Sequence, residues 1–178
     1  MIARRMRGPL TVLGLLMLSA CGPQESALPL GFSLTLAAQP AVPLESIAAF
    51  EVGAVRGLPN DDCLPFASRP AAPPEPVVCP RVANPGELLE LRDGDGAAQR
   101  TLRFTPTLST GGRQQLAISV PVGDDTSLLV QALDASGGYL GSGCAFVGRV
   151  TISSIEFNGR TAELNLHESY TACQPILP

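Results

Sequence analysis

Four cysteines, one histidine and two acidic pairs are the groups with which the body of this chain could do chemistry. They are Cys63, Cys79, Cys144 and Cys173; His167; Asp93 with Asp95; and Asp124 with Asp125. A Ser-His-Asp arrangement would have to use His167, with Ser142 or Ser153 as nucleophile, and that defines a small hydrolase as one reading. Against it, Gly141-Ser142-Gly143 lacks the G-x-S-x-G spacing and the strand-turn-helix setting that expose a nucleophilic serine. A lone histidine at a strand end is usually a surface residue, so no catalytic residue is assigned and the chain is read as a non-enzyme. Arg92-Asp93-Gly94-Asp95-Gly96 sets carboxylates at alternate positions. The next alternate residue is Ala97, however, and Phe104 stands where a calcium loop needs its closing Glu. This stretch and Asp124-Asp125 therefore read as polar turns. No glycine-rich phosphate loop precedes a helix, and no second histidine is available for a metal, so no cofactor or metal is expected.

The four cysteines of the body lack any C-x-x-C pair, and an even number in an exported chain reads as two disulfides. Three pairings are possible. Cys63–Cys79 with Cys144–Cys173 is the expected one, because each bond closes a local ring. The first would staple residues 57–86, a Pro-rich stretch that cannot hold itself by a hydrogen-bonded ladder because proline lacks the donor. At about 30 residues such a loop should be functional, disordered or stapled.

The fifth cysteine, Cys21, lies elsewhere in character. Arg4, Arg5 and Arg7 open the chain, and a mostly apolar run from Pro9 to Ala20 leads to it. A basic start followed by about a dozen apolar residues is the plan of an export signal, and is too short to span a bilayer as a helix. Leu18-Ser19-Ala20-Cys21 resembles the lipobox of bacterial lipoproteins. The resemblance implies a signal peptide over 1–20, with a signal helix, cleavage before Cys21, and diacylglycerol and often a further acyl chain (palmitate, for example) on that residue. It implies a membrane partner reached through the lipid, with residues 21–27 as a lipidated tether. Gly22, rather than Asp, after the cysteine points to the outer membrane of the cell envelope more than the inner. Two or three acyl chains, at about 0.8 kcal/mol per buried methylene, hold where a single chain would not.

All 12 basic residues are Arg, three of them before Cys21, which leaves nine against 16 acids and a net charge of −7 beyond the leader. An acidic body argues against nucleic acid as a partner. Hydrophobic residues make up 45%, enough for a packed core, and the length suits one domain over 28–178.

The elements that must carry these groups read as strands. Phe32, Leu34 and Leu36 alternate with polar residues; 47–55, 115–122, 127–133 and 139–147 are further strands. Glu87–Leu91 and Arg100–Phe104 flank Asp-Gly turns as a hairpin, and 155–157 with 161–166 flank Asn158-Gly159 as another. The pattern predicts an all-β, antiparallel sandwich of about seven or eight strands. Val120 to Leu166 looks like the immunoglobulin-like or prealbumin-like modules of bacterial surface lipoproteins. That resemblance implies a non-catalytic binding or structural module with an unspecified ligand, glycan or envelope protein. A carbohydrate-binding module is the alternative; with no Trp in the chain, its stacking faces would be Tyr139 and Tyr170.

Overall fold

The structure, a computed structural model, describes residues 27–36, 42–57, 63–69, 76–93, 95–109, 112–123, 125–149 and 160–178. The expected signal helix, Cys21, Asp124, Ser153 and the 155–157 strand lie outside these residues. Among the described residues nine strands make up an all-β sandwich: β1 (Ala27–Leu36), β2 (Ala49–Arg56), β3 (Leu91–Arg92), β4 (Ala98–Gln99), β5 (Thr101–Phe104), β6 (Arg113–Pro121), β7 (Asp125–Leu133), β8 (Tyr139–Arg149) and β9 (Arg160–Leu166). Among the described residues no helix is long and apolar enough to cross a membrane.

The strands hydrogen-bond in the order β4-β3-β6-β1-β9-β8-β7-β2-β5. One half of this order is β4-β3-β6-β1 and the other is β8-β7-β2-β5; β9 joins them. Its first residues pair with β1, from Phe32↔Arg160 to Leu36↔Leu164, and its last two pair with β8 as Gly141↔Leu166 and Ser142↔Asn165. The opposite corner is made the same way. Ala98 and Gln99 pair with β3, and after Arg100 alone the chain pairs with β2 from Thr101 onward. Strands that change sheets are how two packed layers turn their corners. The expected hairpin around Asp93–Gly96 is thus only two residue pairs long, because β5 leaves it for β2.

Most neighbours are antiparallel, as the sequence predicts. β1 and β9 are parallel. These are the first and last strands of the body, and no tight turn dictates their relative direction.

The sandwich interior follows from strand periodicity. β6 buries Gln114, Leu116, Ile118 and Val120 and turns Arg113, Gln115 and Ala117 outward. Gln114 is tolerated inside because its amide donates to Thr105 O at 3.0 Å and accepts from Thr107 N at 2.8 Å. Leu34, Phe50, Val52, Leu128, Val130 and Leu164 complete much of this core.

β7 obeys a different rule: every residue from Thr126 to Leu133 is buried. Leu128, Val130 and Ala132 enter the sandwich interior, while Leu129 enters a second core on the outer face. That core gathers Val55, Phe66, Leu88, Tyr139, Tyr170, Ile176 and Leu177 beneath the irregular segments 63–69 and 76–88 and the C-terminal tail. Each buried aliphatic or aromatic side chain contributes about 1.5–3 kcal/mol, which offsets the entropy of ordering a layer with few strands of its own.

The disulfides stitch this layer down. They pair Cys63 with Cys144 and Cys79 with Cys173, at Cα separations of 5.7 and 5.5 Å. This corrects the expected Cys63–Cys79 and Cys144–Cys173 pairing. Ring closure within the Pro-rich stretch would fasten the loop only to itself. The observed bonds fasten it to β8 and to the turn at Glu168–Ala172, the structures on which it lies.

Candidate ligand-binding cleft

A cleft of about 670 Å³ opens where the outer layer meets the ends of β2 and β7. Its base comes from the ladder. Val55 pairs with Ser127 and Arg56 with Thr126; Gly57 N then donates to Asp125 O at 2.8 Å. On its other side β7 pairs with β8, and the register slips between Thr126 and Ser127. A slip of this kind re-aims a side chain. Ser127 Oγ is buried and has no hydrogen-bond partner, the only such side-chain atom found among the described residues. A Cβ on Gly57 would sit 2.5 Å from this hydroxyl and 3.2 Å from the Phe146 ring, so any side chain there would force the hydroxyl aside.

The walls come from the stitched layer. The short 3-10 turn Leu64–Phe66 inserts Phe66 into the outer core, and Arg81 N donates to Pro65 O at 2.8 Å. Farther along, Leu88 bridges to Val55 and Leu89 N donates to Ala54 O at 2.8 Å, so 86–89 runs beside β2. The Arg81 guanidinium lies 4.8 Å above the Phe66 ring, within cation–π range. Arg81 is also ion-paired through Nη2 with Glu87, whose other oxygen accepts from Asn84 N at 3.2 Å. The Arg81 bond, followed by the Asn84 amide, holds the Glu87 carboxyl below its ordinary value. The result is a concave space with apolar walls, with Arg56, Arg81 and Glu87 on its lining, and one unmatched hydroxyl.

The residues singled out by sequence fall elsewhere. His167 caps the C-terminal 3-10 turn: Nδ1 accepts from Ser169 N at 3.1 Å and touches Ser169 Oγ at 2.6 Å. Ser142 is wholly buried. Its Oγ donates to Phe66 O at 2.5 Å and accepts from the Tyr139 hydroxyl at 2.6 Å. Ser68 Oγ joins this cluster, 2.9 Å from the Tyr139 hydroxyl and accepting from Ser142 N at 2.6 Å. Among the described residues no hydrogen bond joins Ser142 to His167, and the two side chains serve separate structural tasks.

Tyr139 and Tyr170, the stacking faces required by the carbohydrate reading, are each 1% exposed and meet edge-to-face with centroids 6.2 Å apart. Neither ring can offer a face to a sugar. Burial pushes the Tyr139 hydroxyl above its ordinary pKa. Asp93 makes the expected turn, its Oδ1 accepting from Asp95 N and Ala97 N at 3.0 Å each. Among the described residues no cluster of three His, Cys, Asp or Glu could hold a metal.

No sequence motif singles out Arg81, Ser127 or Gly57. Their one legible hint was the length of the 57–86 stretch, since a long loop that packs down must cover something. Comparison with protein families, with curated proteins and with solved structures finds no match to this chain.

Proposed function

We propose that this chain is a lipid-anchored cell-envelope protein, held by acyl chains on Cys21, whose sandwich acts as a non-catalytic binding or structural module. The carrying observation is the fate of the cysteines. Four of the five pair off within the fold, which leaves Cys21, at the end of the apolar leader, as the odd one. Two disulfides built into the body suit an oxidising compartment outside the cytosol, where a lipobox cysteine would also be processed. Acylation puts the attachment at one end of the chain and leaves the acidic body free to face solvent or a partner. Gly22 after the cysteine favours the outer membrane.

Expression of the full chain in a bacterial host with an alkyne-tagged fatty acid tests this reading. Label should enter the wild-type protein and be lost in Cys21→Ala, which should leave the membrane fraction. A mature protein that carries no acyl mass, or a Cys21→Ala variant that still sediments with membranes, would sink it.

A further inference from the structure

We propose that the cleft bounded by Ser127, Phe66, Arg81 and Leu88 binds a small carboxylic acid with an apolar body and a hydrogen-bonding group at its far end. This rests on the binding-module reading and deepens it. Two independent observations point to a ligand. At about 670 Å³ the cleft lies within the range of small-molecule sites, about 300–1,000 Å³. Its lining also holds Ser127, 1% exposed, with the unpartnered hydroxyl. Buried polar atoms in folded proteins are almost always matched, and those that are not tend to mark function.

The chemistry of the ligand follows from the lining. Val55, Phe66 and Leu88 supply apolar walls suited to an aryl ring or a short alkyl chain. At the mouth, Glu87 engages Arg81 through Nη2, and the Arg81 guanidinium makes no other hydrogen bond among the described residues. The remaining edge of the planar guanidinium is the type of donor that takes a carboxylate. A guanidinium edge offers donors only, so an anionic head is favoured over a cationic one. At the floor, the Ser127 hydroxyl can donate to or accept from a hydroxyl or carbonyl. Gly57 keeps the space beside it clear, because a Cβ there would collide with Oγ.

Ligand-observed NMR of the full chain in neutral-lipid nanodiscs, with empty nanodiscs as reference, tests the proposal. The probes are 4-(4-hydroxyphenyl)butyrate, its amide, and 4-phenylbutyrate. The hydroxylated acid should bind saturably with a Kd of about 1 mM or tighter. It should bind about tenfold tighter than its amide and about fivefold tighter than the acid lacking the phenol. Arg81→Gln should abolish the preference for acid over amide. Ser127→Ala should abolish the preference for the phenol while leaving the melting temperature unchanged or higher, so that lost binding is not lost folding. Absence of saturable binding overturns the proposal, as do preferences that survive both substitutions. Either failure leaves acylation at Cys21 untouched, and a failed acylation test leaves binding in the cleft untouched.

Discussion

Gln131 and Glu51 meet across β7 and β2: the Gln131 amide donates to Glu51 Oε2 at 2.8 Å. Gln131 is 0% exposed, and its carbonyl oxygen accepts from Ile176 N at 2.7 Å and Leu177 N at 3.0 Å. One buried amide thus fixes the C-terminal tail to the outer face of the sheet. Arg103 holds the other Glu51 oxygen at 2.9 Å. Gln131→Leu keeps the volume but strands two buried backbone donors. Each orphan costs about 1–3 kcal/mol, so the variant should lose about 3 kcal/mol. Urea unfolding would measure it, and a loss below about 1 kcal/mol, within the range of an ordinary surface change, would show that the tail does not depend on this amide.

Close approach of backbones sets a second expectation. A Cβ on Gly143 would run into the carbonyl group of Glu163 on β9, whereas a Cβ on Gly53 would meet the Leu177 methyl Cδ2 at 2.7 Å. A terminal methyl can swing aside, but a strand carbonyl cannot move without opening the β8–β9 corner. Gly143→Ala should therefore cost about 3 kcal/mol or more, and Gly53→Ala about 1 kcal/mol. Thermal denaturation of the pair decides it, and the reverse ranking would be fatal to this account of the corner.

The strands were legible because periodicity is local. The stretches 115–122 and 127–133 each announce a strand within a few residues. Layering was not legible, because it depends on what lies over a strand. Nothing in Leu128-Leu129-Val130-Gln131 says that Leu128 faces one core and Leu129 another. The cysteine pairing failed for the same reason. Loop entropy favours near partners, but the fold chose the partners that lie under the Pro-rich layer. Tyr139 and Tyr170 read as possible platforms by residue type, and only the tail and the 63–69 segment packed around them show otherwise. The cleft combines Val55, Arg81 and Ser127 from distant stretches, with no spacing that a motif could capture.

Acid should loosen the β7–β8 turn first at Asp134. Its Oδ1 accepts from Ser136 Oγ at 2.7 Å, Gly138 N at 2.7 Å and Ser136 N at 2.8 Å. The Ser136 hydroxyl bond, then the Gly138 amide, hold the carboxyl below its ordinary value of 3.8. A depressed folded pKa stabilises the fold fully above the unfolded value, and that contribution fades as pH falls from 3.8 through the lower folded value. Stability measured between neutral pH and the acid limit should decline in this window. In Asp134→Asn the step at this site should disappear, leaving a flatter profile. An unchanged acid profile in that variant would remove the turn from the explanation.

The two disulfides should differ in how they yield to reductant. Cys79 is exposed, whereas Cys63 is 7% exposed and Cys144 half-buried. Attack by a thiolate needs access to sulfur, so a dithiol should open Cys79–Cys173 before Cys63–Cys144. The bonds span 81 and 94 residues, and in the chain-entropy model each contributes about 4.5 kcal/mol. Opening the first should free the tail end of the outer layer while the sandwich interior, which contains neither bond, stays packed. Timed reduction followed by alkylation and peptide mapping should mark Cys79 and Cys173 early, and Cys63 and Cys144 late. The unreduced map should contain only the 63–144 and 79–173 crosslinks. A 63–79 crosslink in native protein would mean that the Pro-rich segment is tied to itself after all, and the cleft walls would then lack the anchor on β8 that holds them in place.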